Sequence, residues 1–385
     1  MTADPTTSTG RADDAQAISA TRAIAAHGLP EAVRQPEHQL PDAPLDPEVW
    51  RRVLTDATRE RTIPLLAVAV ADGALAASPE QEDAIVRAHE HAMRRCLLLD
   101  RVLLDTTARL DAAGIATRAL KGAAVAHLDY PDPSWRAYGD VDLLVASQHL
   151  DAAIALLVDD GGRRTVPEIH PGFDRRFGKG ACVVRPDGIQ VDVHRTFVAG
   201  PFGLTIDLPE LFAGSATFVL GDRTVTALDR ESRFLHACYH AALGDSLPRL
   251  TALRDVAQLV LTTPLDLDVA LGRARSWRAE SVVARAVSLT WDALGLVPAP
   301  LSRWAGTYRP DRFQARSLRA YTSESRSYAT QAAAGVAAIA GVTAKVAYVR
   351  ALVFADRSHV AARDGGYAKR IRRGWDALRS SAGAR

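Results

Sequence analysis

The 385-residue chain has only three cysteines, Cys96, Cys182 and Cys238, widely spaced and without a CxxC pair. This excludes a disulfide framework and a zinc knuckle and leaves reduced core or incidental thiols. Long apolar runs are also missing. The most apolar stretch, Ala332 to Ala344, is about 13 residues long and is followed by Lys345, whereas a membrane-spanning helix needs roughly 20. It is expected as one buried or partly buried helix. The N-terminal MTADPTTSTGRADDAQ has neither the apolar run nor the cleavage site of a secretory leader, so the expected address is the cytoplasm. A dominant charge is lacking too. The net charge of +2 supplies too weak a basic field for a nucleic-acid partner or a polymerising enzyme. Lysine is scarce: of 47 basic residues four are lysines, Lys121, Lys179, Lys345 and Lys369. In a chain that writes its charge as arginine, a retained lysine suggests a use for a compact, mobile point charge.

What is present is an ordinary globular composition, 48% hydrophobic and 24% charged, long enough for two or three domains. Residues 1–45 are expected as a mobile tail with a short helix near Ala15 to Ala26. Residues 46–113 read as helical, with Ile85, Met93, Leu97, Leu98, Val102 and Leu110 along one stripe and Gly114 as the stop. Residues 114–228 form an α/β unit. Its strands are Ile115 to Leu120, Val141 to Val145, Ala181 to Arg185, Ile189 to Arg195, Thr217 to Leu220 and Thr224 to Leu228. Helices follow Gly122 and Ser147, the latter as N-cap. Residues 229–385 are helical again. The fold class is therefore α+β, a small mixed sheet flanked by helical regions.

The chemistry lies in the α/β unit. Strand side chains alternate, so Asp140 and Asp142 share one face while Val141, Leu143 and Val145 take the other. Two carboxylates so placed repel unless a cation lies between them, so Asp142→Asn is expected to leave a metal-free protein as stable as the parent or more so. Asp192 shares a face with Gln190 and His194. If its strand lies beside Val141–Val145, three carboxylates converge, and such hard oxygen ligands suit Mg²⁺ or Mn²⁺. Paired ions on three carboxylates serve in-line phosphoryl or nucleotidyl transfer. Lys121 and Gly122, at a strand-to-helix junction, are the first phosphate contacts expected, followed by Arg136 and Lys179.

Leu120-Lys121-Gly122-Ala123-Ala124, Tyr130-Pro131, Arg136, Asp140-Val141-Asp142-Leu143-Leu144-Val145, Gly161 and Val191-Asp192-Val193-His194 together resemble the uncharacterised bacterial nucleotidyltransferase family of the polymerase-beta-like nucleotidyltransferase superfamily. The resemblance continues through Phe234-Leu235-His236, His240 and Leu253-Arg254-Asp255-Val256-Ala257, covering about residues 48 to 300. It implies NTP and a divalent metal, with Asp140 and Asp142 as the metal-binding pair and Asp192 as the third carboxylate. Lys121-Gly122 stands where the superfamily has a Gly-Ser step, and Asp140 comes 18 residues after Gly122, farther than in compact members.

The function expected is transfer of a nucleoside monophosphate from an NTP to an acceptor (small molecule, peptide or protein), releasing pyrophosphate. The rival is a non-catalytic nucleotide-binding or interaction protein on the same scaffold. His236 and His240 share a helical face and are expected to pack against the α/β unit rather than bind metal, and Trp135 and Tyr138 to pack rather than stack a base. The basic run Lys369-Arg370-Ile371-Arg372-Arg373 reads as a solvated face.

Overall fold

The computed structural model describes residues 5–36, 39–262, 264–323, 326–363, 365–369 and 372, without the side chains of 5–11. Most of the basic run from Lys369 to Arg373 lies outside the described residues. Seven strands form one mixed sheet: β1 (Thr117–Ala119), β2 (Val141–Val145), β3 (Arg163–Arg164), β4 (Gly180–Val184), β5 (Gln190–His194), β6 (Ala216–Leu220) and β7 (Arg223–Ala227), in the order β3-β4-β5-β2-β1-β7-β6. β2 runs parallel to β5, and β1 parallel to β7; the other pairs are antiparallel. The α+β expectation is met.

Apolar alternation fixes the register. Val141, Leu143 and Val145 of β2, with Val191 and Val193 of β5, pack into one core with Leu99, Leu103 and Leu110 of the helix Pro79–Ala112 and Ile154 and Leu157 of the helix Leu150–Asp159. Each such side chain contributes about 1.5–3 kcal/mol on burial. A one-residue slip would forfeit these terms and drive Asp142 and Asp192 into the core instead. Leu144 leaves by the opposite face, into the core of the C-terminal helices with Phe234, Leu235 and Val256. The acidic side chains therefore sit between the sheet and those helices.

Four expectations change. The described part of residues 1–45 is not a loose tail: the helix Pro5–Ala26 buries Ala17, Ala20 and Ile24 against Val49, Val53 and Leu66, and Ala25, Ala26 and Leu29 join the C-terminal core. Its buried face is written largely in alanine, too small a side chain to give a strong periodic signal. In the helix Pro79–Ala112, Leu97 and Leu98 are exposed (67% and 53%) because the packed stripe runs through Cys96, Leu99, Leu103, Thr106 and Leu110. Ser147 does not cap an α-helix; it opens a short 3₁₀ turn, Ser147–His149, ahead of Leu150–Asp159. The stretch Ala332 to Ala344 is broken between the helices Tyr328–Gly335 and Val342–Val353, with Gly341 left-handed (φ 78°). No helix among the described residues is long and apolar enough to cross a membrane.

Candidate active site

The parallel pairing of β2 with β5 sets Asp142 directly beside Asp192 and Leu144 beside His194. His194 Nε2 lies 2.9 Å from Asp142 Oδ1. A carboxylate only accepts, so Nε2 carries the proton. Burial, reinforced by Lys179, lowers the pKa of the ring; in the neutral ring Nδ1 then keeps its lone pair, and that atom is buried without a partner. Asp140 lies just before β2 and meets Asp142 through a shared cation. Lys121 Nζ is 3.1 Å from Asp140 Oδ2 and 3.0 Å from Asp142 Oδ2. Burial would push the Asp142 carboxyl up, but Lys121 and His194 hold it far below the usual range. Burial would lower Lys121, yet Asp142 and Asp140 raise it. Lys121 thus lies between the two carboxylates.

Backbone strain aims that lysine. Lys121 has φ 23° and Gly122 φ 36°, ψ −118°, so regular helix begins only at Ala123. Two successive residues in sparsely populated conformations persist only where surrounding contacts over-determine them, as they do around functional sites. The Gly122 carbonyl is held by Arg136 Nη1 at 3.2 Å. The lysine expected to meet phosphate is thus engaged with carboxylates, although it also lines the neighbouring cavity.

Arg136 is likewise occupied. Its guanidinium is buried and donates from Nε to Asp255 Oδ1 at 2.7 Å and from Nη2 to Asp255 Oδ2 at 2.6 Å; Tyr130 Oη donates to the same carboxylate at 3.0 Å. This fork ties the segment before Asp140 to the helix Leu250–Leu261. Lys179 has no ion pair within 4 Å among the described residues. Burial lowers its ammonium pKa against the fields of Asp142 and Asp192. Across β4 from Asp192, the Cys182 thiol is pushed up to about 12 by burial and by that carboxylate, so it stays protonated.

Asp142, Asp192 and His194 each offer a ligand atom, all within 4.8 Å of one another. Ligands of one Mg²⁺, at about 2.1 Å, are at most about 4.2 Å apart. A small contraction would therefore close this set on an ion, and the unpartnered His194 Nδ1 is a ligand atom the protein alone leaves unused, while Asp142 Oδ2 is held by Lys121 at 3.0 Å. The donor set fits a divalent cation. Asp140 is outside that trio.

A cavity of about 220 Å³ opens beside the acids, lined by Arg61, Lys121, Gly122, Arg136, Tyr138, Asp140, His240, Asp245 and Arg249 among others. Tyr138 is buried and donates its hydroxyl to Asp100, and Trp135 packs over Gly28, both as packing predicts. His236 packs against the Phe197 ring. His240 opens a wider π-type turn, His240–Gly244, a distortion frequent at functional sites. Its pKa is pushed down to about 3 by burial and by Lys121. Unfolded, this histidine takes a proton below about pH 6.5 and folded only near 3, so stability should fall with pH through that window by up to about 1.4 kcal/mol per unit. His240→Asn should flatten the acid limb of urea unfolding midpoints between pH 7 and 5. A slope equal to the parent's would show that His240 does not titrate so. Arg61, Arg249 and the His194–Asp142 bond escaped the sequence reading: the arginines lie in turns between helices with no motif, and His194 read as a mere neighbour of Asp192.

Residues 46–295 match the family described as uncharacterised nucleotidyltransferases, and the chain belongs to that family. A solved structure, an antigenic nucleotidyltransferase-like protein from Paracoccidioides brasiliensis, is similar over 49% of this chain and 94% of its own, at 17% identity and a TM-score of 0.29. No curated protein matches the chain.

Proposed function

We propose that the protein transfers a nucleoside monophosphate from an NTP to an acceptor hydroxyl, amine or phosphate, releasing pyrophosphate, in the manner of polymerase-beta-like nucleotidyltransferases. The observation that carries this reading is the placement of Asp142 beside Asp192, next to a cavity lined by three arginines and a lysine. Asp142 and Asp192, with Asp140 at the cavity wall, would hold Mg²⁺ or Mn²⁺, which when bound neutralises phosphate charge and activates the attacking oxygen. His194 orients the Asp142 carboxylate through Nε2. Lys121 bridges Asp140 and Asp142 and favours the ionised form of Asp142. As the acceptor oxygen bonds to the α-phosphorus and the bond to pyrophosphate breaks, the acceptor's proton must leave. Asp192, only partly buried, is the carboxylate assigned to take it. The reaction is assigned to the cytoplasm. Incubation with each α-labelled NTP, Mg²⁺ and cell extract tests it. Label should move to an acceptor with stoichiometric pyrophosphate, and Asp192→Asn should abolish the transfer. A protein that binds NTP but leaves the label in the nucleotide would instead be the non-catalytic binder.

A further inference from the structure

Arg61 and Arg249 come from opposite ends of the family-matched segment, yet they line one cavity. The backbone forces them together. Glu60 Oε2 accepts from Leu250 N at 2.9 Å, and the Thr251 hydroxyl donates to the Glu60 carbonyl, so the turn after the helix Pro47–Arg59 docks on the start of Leu250–Leu261. Arg61 itself is left-handed (φ 59°), and Gly139 leaves the space its guanidinium fills: a Cβ there would lie 2.7 Å from Arg61 Nη2. Neither guanidinium has a hydrogen bond or ion pair among the described residues. The cavity's other cations are spent, Arg136 on Asp255 and Lys121 on Asp140 and Asp142. The carboxylates that face it, Asp140 and Asp245, make no ion pair with either arginine. Two guanidiniums without a protein partner among the described residues, Arg61 half-buried and Arg249 exposed, line one cavity and form a site for an anion.

We infer that Arg61 and Arg249 bind the polyphosphate tail of the nucleotide, the role expected of Lys121 and Arg136. Size supports a tail rather than a whole nucleotide: about 220 Å³ is below the roughly 300 Å³ at which pockets begin to enclose drug-sized ligands, so base and sugar lie outside. Planar guanidiniums suit phosphate oxygens, with two parallel donors each. The identification of the anion as an NTP tail rests on the transfer reading above; the anion site itself does not.

Sodium tripolyphosphate is the probe, titrated calorimetrically into the full-length parent, Arg61→Gln, Arg249→Gln, the double variant, and Arg223→Gln as a control for a remote, exposed arginine. Each single change should weaken binding about tenfold or more, and the double variant should show none at millimolar probe. Without probe the variants should melt close to the parent's temperature, because neither arginine makes a hydrogen bond or ion pair among the described residues; a structural arginine would lower it. Mn²⁺ binding should be unchanged in all of them. Parental tripolyphosphate affinity in the double variant, or a loss no larger than that of Arg223→Gln, overturns the inference even if the parent is an active transferase. Binding lost in the double variant while the parent releases no pyrophosphate from any NTP sustains the anion site and overturns the transfer reading alone.

Discussion

Asp142→Asn is expected to slow nucleotidyl transfer by about a thousandfold and to cost the metal-free protein about 3 kcal/mol of stability. The rate effect follows from the proposed ion site. A metal ion contributes several kcal/mol to a phosphoryl transition state, and each 1.36 kcal/mol is tenfold in rate. The stability effect follows from the partners. Asp142 is buried and receives both Lys121 and His194. Removing one member of a buried ion pair typically costs about 3–5 kcal/mol, because the other charge stays behind unmatched. Lys121 keeps Asp140, which places the cost at the lower end. The sign is opposite to the one the sequence suggests, where two bare carboxylates repel and Asn relieves them. Urea unfolding of both proteins without divalent ions, beside transfer rates at saturating NTP, checks both halves. A variant as stable as the parent and retaining a tenth of its rate would remove Asp142 from both roles.

Arg136→Met should destabilise the protein by about 3–5 kcal/mol, one of the largest single-residue effects in the chain. Its guanidinium is 4% exposed at the side chain and Asp255 2%, so the substitution strands a buried carboxylate whose remaining donor is Tyr130. Arg136→Met combined with Asp255→Leu should recover most of the loss, since replacing both charges by apolar groups of similar volume removes the desolvation penalty along with the attraction. A phosphate-binding Arg136 would behave otherwise, losing nucleotide affinity with little change in stability and no rescue by Asp255→Leu. A double-mutant cycle in urea, with nucleotide titrations of the folded variants, distinguishes these outcomes.

The residues tied by these pairs explain why distant fragments of the sequence pattern travel together. Tyr130, Arg136 and Asp255 are one hydrogen-bonded unit, and the Arg254 guanidinium lies over the Tyr130 ring at 5.6 Å while donating to the Ala25 carbonyl. Asp129 and Arg233 form a second buried fork, at 2.9 and 2.8 Å. These contacts fasten the helix after β1 and the segment before Asp140 to the C-terminal helices. Residues with the spacing of a catalytic motif here divide into those that face the cavity and those that hold its walls.

The sequence by itself determined the faces. Apolar alternation in Val141–Val145 and Ile189–Arg195 put Asp142 and Asp192 each opposite its own strand's core-facing set, and the pairing of β2 with β5 brought the two to one side. The alternation is a local rule with a period of two, legible from one segment at a time. Only the tertiary structure decided which partner each long cation takes. Lys121 turned into the carboxylates because two strained residues aim it there, and Arg136 sank onto Asp255, 119 residues away. Arg61 and Arg249 line one cavity because Glu60 docks on a backbone amide 190 residues on. A flexible side chain carrying a full charge goes where desolvation and pairing balance best, and that balance is set by groups remote in the chain, which no periodicity records.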